Sequence, residues 1–353
     1  VLNLLKAPPT FAKLRPRALE PAAQEERERL LRSKISELGL RVEGSRLEPL
    51  VKTLHDELAE AGIVFAPRVY LSDEWGCPDG VPLIGVPFYL ADERLSLLQK
   101  ELLDSIEAES DEEVLAYLRH EAGHALNYAY RLYETEEWHS VFGPYSRPYL
   151  DDYAPDPFSR SFVRHIPGWY AQKHPDEDFA ETFAVWLTPG SDWRKRYEGW
   201  SCLKKLEYVD RIMRTIGSLP PCVGSDYDEA TDLAHPLAEH FERFGYRRQE
   251  LPLYFDGDLK ELFYQGRERA GHEAEPAHTF IAEQRGTLTS AVSYWTGLDE
   301  HVIRSLLDHF SERAQLLDLW LPSAERARLA SELAVVITTL GMNRMYRGDF
   351  VSK

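Results

Sequence analysis

From Ser110 to Arg131 the chain reads SDEEVLAYLRHEAGHALNYAYR, and this stretch decides the fold. Ser110 and Glu113 have the spacing of a capping box, acids fill the first turn, and Val114, Leu118, Ala122, Ala125, Leu126 and Ala129 recur with helical period. One helix is therefore predicted across it. Inside lies His120-Glu121-Ala122-Gly123-His124. Histidines at i and i+4 project from one helix face, so both imidazoles can reach a single tetrahedral zinc, with Glu121 directed at a water on that metal. Ala122 and Gly123 are expected to leave this face open, with Tyr117 and Tyr128 as the walls of a cleft. The competing explanation is a solvated helix face.

A catalytic zinc needs a third protein ligand, and the best donor region is Trp169–Trp186, WYAQKHPDEDFAETFAVW. His174-Pro175 reads as a helix start with proline at the first position, and Phe179, Ala180, Phe183 and Trp186 supply a buried face. Glu177 and Glu181 then stand one turn apart on one side. Compensation of the helix dipole accounts for Asp176 and Asp178, and would account for Glu177 too, but not for Glu181.

HEAGH followed by EDFAE resembles the gluzincin type of zincin metallopeptidases, in which a second helix brings a ligand glutamate with an acid four residues later. Tyr170, seven residues before Glu177, makes the segment especially similar to the catalytic site of anthrax lethal factor and of the proline-specific clostridial endopeptidases. The string HPDEDFAETFAVWLTP also looks like bacterial zinc-binding metallopeptidases of unassigned substrate. The resemblance covers residues 110–190. It implies a zincin-like fold, zinc held by His120, His124 and Glu177, and Glu181 as the acceptor that orients one of the two histidines. It further implies Glu121 as general base toward a metal-activated water, and Tyr170 as donor to the developing oxyanion. Packing of Tyr170 beside Trp169 in the core is the alternative for that residue.

Other candidates compete with plainer explanations. His139, His165 and His174 lie between the two motif segments and read as packing or surface residues more readily than as ligands. The segment WHSVFGPYSRPYLDDY, residues 138–153, is either a substrate wall or an ordered loop packed by its own side chains. His235 and His240 lack the HExxH spacing. Arg160 and Arg164 can read a substrate carboxylate or make surface salt bridges.

Outward from the motif, the class expected is α+β, helix-dominated with a small sheet. Residues 1–20, with three prolines and a basic bias, read as an extended arm. Residues 21–224 read as the metallopeptidase domain: a polar helix over 21–40, a helix opened by a Ser45/Glu48 capping box, and strands at Pro67–Ser72 and Val86–Ala91. Residues 225–353 read as a C-terminal helical part, with amphipathic segments over 299–319 and 323–340.

Composition bounds the rest. With 43% hydrophobic and 28% charged residues, the 353-residue chain has an ordinary globular balance. Its net charge of −18 repels phosphate backbones and anionic membrane surfaces, so neither nucleic acid nor membrane is an expected partner. Three scattered cysteines and no long apolar run point to the cytoplasm. The expected substrate is a peptide or peptide-like amide. Hydrolysis of a small amide metabolite and a non-catalytic zinc protein that binds a partner are the alternatives, and the oligomeric state is not legible.

Overall fold

A computed structural model describes residues 21–103, 106–150, 153, 155–156, 158–229, 232–245, 255–298 and 300–347; the expected arm over 1–20 lies outside the described residues. The chain is helix-dominated with little sheet, as an α+β class requires. Helix α1 (Pro21–Arg32) ends before the expected Leu40, because Lys34 pairs with Pro236 and Ile35 N–H donates to His235 O. Helix α2 (Leu47–Glu60) starts too late for Ser45 to cap it. Ser45 Oγ instead accepts from Leu47 N–H, and Glu48 reaches back to Gly44 N–H.

Strands β1 (Arg68–Ser72) and β2 (Leu83–Pro87) pair in parallel. The second lies earlier than expected, since Pro87 has no N–H with which to continue the ladder, and Phe88–Ala91 turns into a short 3₁₀ helix. All five residues of β2 are buried, so the strand reads as a continuous apolar run and not as an alternation. Gly76 pairs antiparallel with Gly85, which carries Trp75 and Cys77 across β2 toward α4. A Cβ on Gly85 would meet Ser72 Cβ at 2.9 Å and Gly76 O at 3.1 Å, so this crossing requires glycine.

Next come α3 (Glu93–Leu103), α4 (Asp111–Ala129), α5 (Glu136–Phe142), α6 (Pro175–Leu187), α7 (Trp193–Arg196), α8 (Leu203–Ile216) and α9 (Leu237–Gly245). The Ser110/Glu113 capping box on α4 forms as expected. One core gathers Leu54 and Leu58 of α2, Val114, Leu118 and Leu126 of α4, and Phe179 and Phe183 of α6. Leu237 and Phe241 of α9 join it, so the change of core falls between Phe241 and Phe255 and not at 225.

The second core is built by α10 (Asp256–Leu262), β3 (Tyr264–Gln265), α11 (Arg267–Ala270), β4 (Ala274–Pro276), α12 (Ala277–Thr296), α13 (Glu300–Leu316), β5 (Leu319–Pro322) and α14 (Arg326–Arg347). This part is not purely helical. The helix expected to 319 ends at Leu316, Asp318 turns with φ +50°, and β5 runs between β3 and β4 in an antiparallel sheet with Leu319 and Leu321 buried. Among the described residues no helix is long and apolar enough to cross a membrane.

What positions the site is the contact of α4 with α6. A Cβ on Gly123 would lie 2.7 Å from Ala180 Cα and 3.0 Å from Ala180 O, so the two backbones touch there. Gly123 is thus a packing residue, and Ala122, fully buried, does not face a cleft either. The expectation that these two residues open the motif face is corrected by this contact. Gly123→Ala gains about 1 kcal/mol of helix propensity but overpacks against immovable backbone at a cost of about 1–3 kcal/mol. Thermal unfolding of the metal-free variant is expected at lower temperature than wild type, and its metal affinity is expected to fall as α6 is pushed away from the histidines.

Candidate metal centre

Helix α4 supplies His120, Glu121 and His124, and α6 supplies Glu177 and Glu181, all buried. His120 Nε2 lies 3.0 Å from Glu177 Oε2, His124 Nε2 lies 3.2 Å from the same oxygen, and the two Nε2 atoms are 3.1 Å apart. These three donors converge on one point. Among the described residues they are the group that can hold a metal ion.

Both imidazoles are held from behind. His120 Nδ1–H donates to Glu181 Oε1 at 2.9 Å, which settles the histidine that Glu181 serves. The other Glu181 oxygen accepts from Ile166 N–H at 3.0 Å. His124 Nδ1–H donates to Asp176 Oδ2 at 3.0 Å. Since an ionised carboxylate only accepts, each ring keeps a proton on Nδ1, so the neutral form of either imidazole has its Nε2 lone pair directed at the shared point. Asp176 also accepts from Asn127 Nδ2 at 2.6 Å and from Tyr128 O–H at 2.8 Å. Dipole compensation therefore does not exhaust the role of Asp176. Nor does it for Asp178, which is buried and pairs with Lys205 Nζ at 2.6 Å. The available signal was Asn127 and Tyr128, polar groups one turn beyond His124 on the same helix.

Start of α6 follows from local chemistry. His174 Nδ1 accepts from Asp176 N–H at 3.1 Å as the helix cap, with Pro175 at the first position as the sequence predicts. Ahead of it, Trp169 adopts left-handed backbone with φ +56°, a strained state for a bulky residue. That twist sends neighbouring side chains opposite ways. Trp169 covers Gly297 of the second core, whereas Tyr170 lines the cavity in front of the histidines, with its ring 5.6 Å from that of His120.

That cavity, of about 430 Å³, is bounded by Trp75, Glu121, Tyr128, Tyr145, Tyr149 and Tyr170 together with the three donors. Tyr128 is a wall as expected. Tyr117 is not; it stacks on Trp75, which takes that place. The aromatic segment 138–153 divides, with α5 packed in the core and Tyr145, Arg147 and Tyr149 at the cavity. Glu121 Oε2 is buried without a hydrogen-bond partner, and burial pushes this carboxyl above its usual range.

Remaining candidates stay outside the donor set. His139 and His165 donate to the carbonyls of Tyr133 and Ala116, and His174 to that of Arg147. His240 and His235 both meet Asp73, at 2.6 Å and 3.3 Å. Arg164 stacks over Trp169 and Trp200, and Arg160 over Trp200, so neither is at the cavity. No protein-family model, no curated protein and no solved structure matches this chain.

Without metal, burial works against protonation of His120, but hydrogen bonds to Glu177 and Glu181 outweigh it and lift this imidazole to about 9. Metal binding needs the neutral ring, so at pH 7 the ion must displace a proton. The sign follows: with His120 and His124 both held above the ordinary imidazole range, apparent metal affinity rises with pH through and above neutrality and falls on acidification, by about tenfold per pH unit for each proton released. Competition with a chelator between pH 6 and 9, and proton release into a weak buffer at pH 7, check this. Glu181→Gln and Asp176→Asn are each expected to weaken metal binding by about 10–100-fold.

Proposed function

We propose that this chain is a zinc-dependent hydrolase with a zincin-like catalytic unit, acting on a peptide or peptide-like amide bond. Glu121 carries the reading. A buried carboxylate with an unpartnered oxygen, beside three convergent donors and facing a cavity, is costly to keep and has no use in a purely structural metal site. Two imidazoles and one carboxylate form a donor set suited to zinc, and their mutual spacings of 3.0–3.2 Å approach the roughly 3.3 Å between ligand atoms in a tetrahedron with bonds near 2.0–2.1 Å. Bound there, zinc supplies Lewis acidity toward a water and a carbonyl oxygen.

The protein's own residues do the rest. Glu121, held above the usual carboxylate range by burial and lining the cavity, accepts a proton from the attacking water and returns it to the leaving amine. Tyr170, whose hydroxyl stays protonated because burial raises its pKa, donates to the carbonyl oxygen as charge develops. Trp75 and Tyr128 wall the cavity and exclude bulk water. A net charge of −18 agrees with a partner other than nucleic acid. The cavity volume of about 430 Å³ lies inside the range of about 300–1,000 Å³ common for small-molecule sites, which favours a short peptide or an amide metabolite over an extended protein segment.

Metal analysis is expected to find one zinc per chain, and turnover to be found among fluorogenic dipeptides and N-acyl amino acids. Glu121→Gln keeps the zinc but lowers turnover by roughly 10²–10⁴-fold. Tyr170→Phe lowers it by about 10–10³-fold with KM nearly unchanged, because its bond is made mainly in the transition state. Full activity in Glu121→Gln would overturn the mechanism.

A further inference from the structure

Glu177 presents its two oxygens to different partners. Oε2 faces both histidines, while Oε1 accepts the Tyr149 hydroxyl at 2.5 Å. The Tyr149 oxygen also lies 3.3 Å from the Tyr170 oxygen. Proton counting gives this pair a direction. An ionised Glu177 carboxylate can only accept, so the single phenolic proton of Tyr149 is committed to it, and Tyr170 must be the donor to Tyr149. A one-way chain results, from Tyr170 through Tyr149 to Glu177.

We propose that Tyr149 is a positioning residue for the metal ligand Glu177, capping Oε1 so that the carboxylate offers the metal a single oxygen, and that it parks the Tyr170 hydroxyl until a substrate oxygen takes its place. The inference rests on the metal reading above. Several contacts hold Tyr149 at its post. His174 Nε2–H donates to Arg147 O at 2.8 Å, which pins the loop two residues before Tyr149 to the cap of α6. The tyrosine ring lies 5.3 Å from that of His174, and Lys173 Nζ stands 4.4 Å over its face. Thus the helix that carries Glu177 also fixes the residue that caps it. Physically, the cap does two things. It blocks a second carboxylate oxygen from filling a coordination position that the reaction needs, and it draws charge away from the ligand, which strengthens the metal as a Lewis acid. Tyr149 is itself half-exposed, so these contacts and not burial hold it in place.

The test uses the full chain and zinc or cobalt alone. Tyr149→Phe keeps the ring and its stacking but removes the donor. It is expected to lower the visible absorption of the cobalt form as Glu177 closes onto the metal with both oxygens, and to leave zinc binding in chelator competition no weaker than wild type. Tyr170→Phe, which leaves the cap in place, is expected to change neither. X-ray absorption of the zinc-loaded wild-type chain is expected to show one carboxylate oxygen at bonding distance, a readout that does not depend on any variant folding. An unchanged cobalt spectrum in Tyr149→Phe, an equal spectral loss in Tyr170→Phe, or a second carboxylate oxygen on the wild-type metal would overturn this inference alone. Failure of the wild-type chain to bind zinc would overturn it together with the metal reading.

Discussion

Backbone contact between α4 and α6 at Gly123 and Ala180 sets the distances at the candidate metal site. On α4 the order is His120, Gly123, His124, and on α6 it is Glu177, Ala180, Glu181. Each helix carries two functional side chains at i and i+4 with a small residue at i+3 on the same face. The small residues let the helices meet, and the long ones then reach across to one another above and below the contact. His120 consequently finds Glu177 in front and Glu181 behind, and His124 finds Glu177 in front and Asp176 behind. Any residue larger than glycine at 123 would lengthen all four contacts at once.

So many buried charges survive because each is paired. Asp176, Glu177 and Asp178 follow one another in the first turn of α6, where the helix dipole favours acids. The rotation of about 100° per residue points them three ways: Asp176 to His124, Asn127 and Tyr128; Glu177 to both imidazoles and Tyr149; Asp178 to Lys205. Desolvation opposes ionisation of all three, yet the imidazoles beside Asp176 and Glu177 hold these two below the usual carboxylate range. Removing a partner would leave an uncompensated buried charge, a far larger cost than the pair itself contributes. Glu121 Oε2, like Asp178 Oδ1, is buried without a hydrogen-bond partner, but of these two carboxylates only Glu121 lines the cavity in front of the histidines.

The two cores meet near the same site. Trp169, in left-handed backbone, packs on Gly297, whose own φ of +76° and absent Cβ make room for the indole. Phe158 and Trp295 are ring neighbours at 6.1 Å beside that contact. Because Trp169 precedes Tyr170 directly, anchoring the tryptophan on the second core also fixes the direction of the tyrosine. The C-terminal part is in this way connected to the cavity through one strained residue.

Local order was legible in the sequence wherever the deciding interactions run between near neighbours. Helix α4 with its capping box, the proline-started α6, and the histidine pair at i and i+4 all depend on contacts within one or two turns. Strand β2 was misplaced because an apolar run buried on both faces has no alternation to mark its edges, and β5 was missed because its strand partners lie far away in the chain. By itself the sequence determined the residue types on the two helices and the faces they occupy. Only the tertiary structure decided which histidine Glu181 orients, that Asp176 serves the other, that Gly123 is a contact and not an opening, and that Tyr149 reaches Glu177. Those outcomes depend on the approach and rotation of two helices about fifty residues apart and on the path of the loop between them, and short-range periodicity carries no information about either.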